Sequence, residues 1–379
     1  MKKLKVVTIL GTRPEIIRLS RVMSLLDQYT NHVIVHTGQN WDYELNEIFF
    51  EELGLRKPNY FLGVGGGTLG ETLGGIISSA EVVLVNEKPD AVLILGDTNS
   101  SISAIMARRL KIPVYHMEAG NRSFDRNVPE ETNRRLVDHI ADFNLVYTEH
   151  ARRHLLAEGL EHRRITLTGS PMREVLEHYR DQIEASEILQ KLELSKRKYF
   201  IVSLHRQENV DSPERLLSLA HTLSELVKKY RYPVIVSTHP RTRQRLKEMN
   251  ITLGEGVLDA KPFGFFDYNQ LQMNSFCAIS DSGTIAEECS ILSFPAITPR
   301  DAIERPEGID VGCLIVTGLE CDTILGGIEA ITQGFREREA RAELHPVPDD
   351  YCITNTAERV VNLILGTARL SNNWDGIRD

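Results

Sequence analysis

The sequence predicts an α/β protein of two Rossmann-like parallel-sheet domains facing a cleft, on three observations. Short β-branched, apolar runs alternate with turns and with segments of helical periodicity. Strands such as Ala91–Leu95 (AVLIL) are apolar throughout, as strands buried on both faces of a parallel sheet must be. The pattern then restarts after a charged stretch ending at Ser195-Lys196-Arg197-Lys198.

In the first half the expected strands are Leu4–Leu10, His32–Thr37, Ala91–Leu95, Val114–Met117, Asn144–Thr148 and Ile165–Thr168, with helices opening near Glu15, Tyr43, Gly70, Asn99, Glu130 and Glu149. In the second half they are Tyr199–Leu204, Val234–Ser237, Val257–Leu258, Phe276–Ser280, Ala296–Thr298 and Leu314–Thr317. The final helix, Thr356–Leu370, has no strand after it and can cross back to the first domain. The expected organisation is therefore 1–170 plus 356–379, and 171–355. In such sheets ligands bind beyond the carboxyl ends of the strands, so two facing domains place a ligand in the cleft between them.

The chain has 379 residues, 41% apolar and 26% charged, with 44 basic against 53 acidic side chains and a net charge of −9. A small disulfide scaffold is excluded, and broad nucleic-acid binding is disfavoured, although a local arginine cluster still suits one anionic ligand. The cysteines Cys277, Cys289, Cys313, Cys321 and Cys352 form no CxxC pair and read as reduced thiols of a cytoplasmic protein. The opening apolar run is interrupted by Gly11-Thr12-Arg13-Pro14-Glu15, so neither an export signal nor a membrane partner is expected.

Chemistry is expected where strands end. Gly11–Glu15, with Arg18 and Arg21 on the following helix, reads either as an anion site at a helix N-terminus or as a capped turn with solvated arginines. Asp97 follows AVLIL and either caps the next helix or serves chemistry. Glu118 sits at a buried strand end, where a glutamate needs a partner, and Arg122 is the neighbour in sequence. Glu130 and Arg134 share a helix face at i and i+4, a spacing that also fits a solvated ion pair. In the second half, amides of Ser282, Gly283 and Thr284 suit a diphosphate, and a carboxylate one turn later suits ribose hydroxyls. His205 and Arg206 end another strand there.

Two patterns are decoys. Gly65–Gly70 fits G-x-G-x-x-G with Glu87 downstream, but it does not follow the first strand, and Glu87 precedes a strand rather than ending one. The histidines show no metal-ligand spacing, so no metal is expected.

Gly11–Glu15, Thr37-Gly38-Gln39, Gly96-Asp97-Thr98, Glu118–Arg122, Pro129–Arg134, His205-Arg206, Asp281–Glu288 and Glu304–Glu307 together resemble the non-hydrolysing UDP-N-acetylglucosamine 2-epimerase family nearly end to end. The resemblance implies a glycosyltransferase-B-like pair of domains, a homodimer, a UDP-linked N-acetylamino sugar as ligand and no cofactor. It assigns Arg13 and the Ser282–Thr284 amides to the diphosphate, Glu288 to the ribose, and Asp97, Glu118, Glu130 and His205 to the reacting region; Arg18, Gln39, Arg134 and Arg305 complete the substrate-binding set. Arg18, Asn40, Asn121 and Thr284 depart from the family's usual residues. With the segments around Trp41, Phe124, His150 and Asp301, they look more like the branch that makes UDP-N-acetyl-L-fucosamine for capsule or O-antigen synthesis. The rival readings are the parent glucosamine epimerase, a glycosyltransferase, a non-catalytic UDP-sugar sensor and an NAD dehydrogenase.

Overall fold

The computed structural model describes residues 3–38, 47–125, 127–204 and 206–377. The chain divides into two compact units, Met1–Glu177 with Asp349–Asp379, and His178–Pro348.

The first unit carries β1 (Lys5–Leu10), β2 (Asn31–His36), β3 (Tyr60–Phe61), β4 (Ala91–Leu95), β5 (Val114–Met117), β6 (Phe143–Val146) and β7 (Ile165–Leu167), in the order β3-β2-β1-β4-β5-β6-β7. Neighbouring strands of this sheet pair in parallel. Chain order reverses between β1 and β4, the switch point at which a doubly wound sheet opens a crevice. Every residue of β4 is buried, which is why its sequence lacks polar alternation. The first helix, Arg13–Tyr29, starts with Pro14 in its first turn and buries Ile16, Leu19, Val22, Met23 and Leu26 at helical spacing.

The second unit repeats the plan. Its strands are β8 (Phe200–Ser203), β9 (Val234–Ser237), β10 (Val257–Ala260), β11 (Cys277–Ser280), β12 (Ala296–Thr298) and β13 (Ile315–Val316), ordered β10-β9-β8-β11-β12-β13. Its core joins Phe200, Val202, Val234 and Ile279 to Leu216, Leu223 and Leu226 of one helix and Ile324 and Ile328 of another.

Two features differ from the expectation, and a third cannot be compared. β3 has no apolar run behind it; it forms because Tyr60 and Phe61 pair with Val35 and His36, and the Phe61 ring stacks on His36 at 5.2 Å. The helix expected from Asn99 opens as a 3-10 turn, Asn99–Ser103, before Ala104–Arg109. The onset expected near Tyr43 lies outside the described residues, and the helix there is Glu47–Glu52.

The glycine run leads into a Thr68/Glu71 capping box rather than following β1. Glu87, at the end of that helix, pairs with Lys5 at 2.8 Å and accepts from Tyr60 Oη, so it does not stand at a strand end.

The C-terminal segment is tied to the first unit at several points. Thr356 Oγ1 donates to the carbonyls of Thr168 and Ser170, and the Ala357 amide donates to Glu174 at 2.8 Å. Arg164 lies over the Phe143 and Trp374 rings at 4.7 and 5.3 Å and binds Asp375. Among the described residues no helix is long and apolar enough to cross a membrane. Ile364, fully buried in the Thr356–Thr367 helix, tests this docking. Ile364→Ala should cost about 2–5 kcal/mol in urea unfolding.

Candidate active site

In each unit the polar segments gather at the carboxyl ends of the strands that flank its switch point. In the first unit these are the turn after β1 and the loops after β4 and β5, with the Pro129–Ile140 helix beside them.

The β1 turn is held by a residue that sequence reasoning left as part of the motif. Glu15 is 1% exposed, and its Oε2 accepts from the Gly11 amide at 3.0 Å, the Thr12 hydroxyl at 2.8 Å and the Ser100 hydroxyl at 3.5 Å. Burial raises its carboxyl to about 7, against the lowering effect of the Thr12 hydroxyl and the Gly11 amide. Arg13 leaves the same turn, its guanidinium 5.6 Å from the centre of the Phe49 ring.

Asp97 and Glu118 follow the central strands β4 and β5. Asp97 is half-buried and pairs with Arg134, while Asn133 Nδ2 donates to the Asp97 carbonyl at 3.0 Å and to Asn99 Oδ1 at 3.2 Å. Glu118 is buried, pairs with Arg18 and accepts from Asn121 Nδ2 at 3.4 Å. Its backbone takes φ +63°, a left-handed conformation that glutamate rarely adopts and that marks a constrained position. A Cβ placed on Gly96 would stand 3.8 Å from Glu118 Oε2, so the Glu118 carboxylate lies over the end of β4, one residue before Asp97.

Partner choice differs from the sequence reading in two places. Arg122 does not serve Glu118; it turns to Asp138 and Glu158, each at 2.7 Å, because the loop carries it to the other side of Gly120. Arg134 does not serve Glu130 either, since it reaches Asp97 and, at 3.0 Å, Glu131. Glu130 is half-buried, and its side chain forms no hydrogen bond or ion pair among the described residues.

Glu131 is a further residue the sequence reading missed. It is buried and accepts from the Ser123 amide at 3.0 Å, from Arg134 and from Arg135. Burial pushes its carboxyl up, but those donors outweigh burial and hold it below its usual range. Its spacing of three to Arg134 and four to Arg135 was the available signal.

In the second unit, Ser282–Thr284 follow β11 and lead into the Ile285–Leu292 helix. Two of the three amides singled out are already engaged within the loop: Ser282 N donates to Ser280 Oγ at 3.1 Å and Thr284 N to Ser282 Oγ at 3.3 Å. Arg305 is buried behind this loop, donating to the Gly283 carbonyl at 2.8 Å and pairing with Glu287. Glu288, one turn on, accepts from Gln272 Nε2 at 2.7 Å. Asp281 joins the loop to the β8 end by accepting from the Arg206 amide at 3.0 Å and Asn209 Nδ2 at 3.1 Å. Arg206 Nη2 would lie 3.5 Å from a Cβ on Gly283. Gln39 and His205 lie outside the described residues. Among the described residues no group of three His, Cys, Asp or Glu side chains is arranged to hold a metal ion.

Arginines, a helix N-terminus and paired carboxylates at strand ends suit an anionic ligand and proton transfer beside it. Residues 25–365 match the family model described as UDP-N-acetylglucosamine 2-epimerase. The chain belongs to that family. It resembles the solved structure of UDP-N-acetylglucosamine 2-epimerase from Rickettsia bellii at 44% identity and TM-score 0.88, over 98% of each chain. It also resembles the Methanocaldococcus jannaschii UDP-GlcNAc 2-epimerase in complex with UDP-GlcNAc and UDP, at 36% identity and TM-score 0.88, over 95% of this chain and 99% of that one. A Pseudomonas aeruginosa relative, UDP-2,3-diacetamido-2,3-dideoxy-D-glucuronate 2-epimerase, is 36% identical over 85% of this chain and 90% of its own. A likeness in fold alone extends to a glycosyltransferase from Rickettsia africae, at 13% identity and TM-score 0.53, over 97% of this chain and 99% of that one. The architecture of this epimerase-family chain is thus glycosyltransferase-B-like.

Glu15 gives a stability test. Its folded carboxyl binds a proton up to about pH 7, whereas an ordinary carboxyl, with a value of 4.5, has already released it. Folded protein therefore holds more protons across that window, and stability falls as pH rises from 4.5 to 7. Glu15→Gln should remove roughly 1 kcal/mol per pH unit of this dependence, read as denaturant midpoints at several pH values.

Proposed function

We propose that this chain is a nucleotide-sugar 2-epimerase that works by elimination and re-addition of UDP. The observation that carries the reading is the pairing at adjacent strand ends: Asp97 with Arg134 and Glu118 with Arg18, one turn of chain from Arg13. Such a set supplies bases held in place and cations beside them.

The chemistry follows from the substrate. The hydrogen on carbon 2 of an N-acetylamino sugar has no adjacent carbonyl to acidify it, so inversion requires either oxidation or elimination. In elimination a carboxylate takes that proton, a double bond forms between carbons 1 and 2, and the bond from carbon 1 to the UDP oxygen breaks with its electron pair on UDP. Re-addition reverses these changes, with the proton delivered to the opposite face. The electrons balance with no redox cofactor. Arg13 and the loop at Ser282–Thr284 stabilise the departing diphosphate, Glu288 holds the ribose, and Asp97, Glu118, Glu130 and His205 act on the sugar, with Arg18, Gln39, Arg134 and Arg305 in support. For Arg305 that support runs through the Gly283 carbonyl and Glu287.

For the sugar, we favour UDP-2-acetamido-2,6-dideoxy-L-talose, converted to UDP-N-acetyl-L-fucosamine for capsule or O-antigen synthesis, on the departures at Asn40, Asn121 and Thr284. The names of the Rickettsia bellii and Methanocaldococcus jannaschii relatives support a second reading, interconversion of UDP-N-acetylglucosamine and UDP-N-acetylmannosamine. We further propose a cytoplasmic homodimer.

Proton NMR in deuterated water, with each sugar in a separate tube and no NAD, tests the reading. Deuterium at carbon 2 is expected with the L-talose sugar. Deuterium only with UDP-N-acetylglucosamine selects the second reading, and none with either removes the epimerase. Asp97→Asn, Glu118→Gln and Glu130→Gln should each lower kcat by at least about 100-fold with UDP affinity nearly unchanged, while Arg13→Ala should weaken UDP binding. Retained turnover in all three carboxamide variants would remove the acid/base assignment.

A further inference from the structure

Behind the paired carboxylates lies a buried polar cluster that the proposed chemistry does not use. His116, on β5 two residues before Glu118, is fully buried. Its Nε2 lies 2.8 Å from the Gly96 carbonyl, and its Nδ1 lies 3.0 Å from Asp138 Oδ1. A carbonyl only accepts, so the Nε2 proton is on the ring and points at the residue immediately before Asp97.

Asp138, also fully buried, extends the cluster to the next loop. Its carboxylate accepts from the Gly120 amide at 3.2 Å and from Arg122 Nη1 at 2.7 Å, and Arg122 in turn holds Glu158 at 2.7 Å. Asp138 sits on the Pro129–Ile140 helix, which also carries Glu130, Glu131 and Arg134. From the β5 strand that leads to Glu118, one imidazole is therefore hydrogen-bonded through Nε2 to the β4 end bearing Asp97 and stands through Nδ1 at ion-pair distance from the helix whose first turn bears Glu130.

The bridged backbone needs such a tie. Gly96 and Gly120 take φ +70° and +81°, and Glu118 between them takes +63°. A Cβ on Gly120 would meet the Ala151 carbonyl at 2.5 Å. Glycine takes such angles freely, but the Glu118 conformation persists only where the surroundings over-determine it.

We propose that His116 is a positioning residue, which through its Nε2 donation to Gly96 and its contact with Asp138 sets the separation of the Asp97 and Glu118 carboxylates. The proposal rests on the reading that those carboxylates transfer the protons. Misplacement of reacting groups by about 1 Å can cost 100-fold in rate, so the tie acts on turnover rather than on UDP affinity.

Two substitutions separate this role from simple packing. In His116→Gln the amide nitrogen falls where Nε2 was and still donates to Gly96. In His116→Asn it falls where Nδ1 was, keeping the Asp138 side and losing Gly96. On the full-length chain, with UDP-N-acetylglucosamine and UDP-2-acetamido-2,6-dideoxy-L-talose as separate probes, His116→Gln should hold kcat within about 5-fold of the native protein, and His116→Asn should lower it about 100-fold. UDP affinity by calorimetry should change by less than about 3-fold in both.

Equal kcat in the two variants, or a loss that appears in KM and UDP affinity rather than kcat, overturns the proposal. If His116→Asn does not fold by circular dichroism, folded His116→Gln decides: near-native kcat sustains the proposal and a large loss overturns it. Asp97→Asn measured alongside keeps the two failures apart. An active Asp97→Asn removes the role of Asp97 on which the positioning argument rests, and native protein inactive on both probes removes the catalytic reading itself. An inactive Asp97→Asn beside a fully active His116→Asn overturns the positioning role alone.

Discussion

A carboxylate taken out of water at the end of a buried strand has to meet a cation or a set of donors, and the architecture of the first unit follows from that requirement. The centre of the sheet gives a carboxylate no place because β4 is apolar and buried throughout. Polar chemistry is left to the strand ends, where Asp97 and Glu118 emerge beside one another. Each then draws an arginine from a different element: Arg134 from the Pro129–Ile140 helix and Arg18 from the first helix. The arginines thus fasten helices to strand ends while supplying positive charge.

The second unit meets the same requirement differently. Asp281 is satisfied by a backbone amide and an asparagine rather than by a cation alone, and Arg305 is spent on a carbonyl and Glu287 behind the loop. This unit's loop hydroxyls fold inward, Ser282 Oγ meeting Thr284 Oγ1 at 2.9 Å.

Much of this was legible in the chain. Runs such as AVLIL and FIVS declare strands buried on both faces, and the residues that interrupt them, Asp97, Glu118 and Ser282–Thr284, stand where the sheet order reverses. Partner choice was not legible. Arg122 is the nearest arginine to Glu118 in sequence but points away from it, because Gly120 turns the loop through a conformation that sequence spacing does not encode. Glu131 and Glu15 looked like ordinary members of charged helix starts; their importance comes from burial and from donors outside their own helices, Ser123 for Glu131 and Ser100 for Glu15. β3 was invisible because two residues carry no periodicity, and only the β2 edge makes them a strand.

The first unit is closed by Asp349–Asp379, whereas the second is one continuous stretch, His178–Pro348. During synthesis the second unit is therefore complete while the first still lacks the helix that covers its Arg13–Tyr29 face. In that interval the Arg13–Tyr29 helix lacks a packing partner that it has in the finished fold, so apolar surface on the first unit stays open to other chains until Asp349–Asp379 docks.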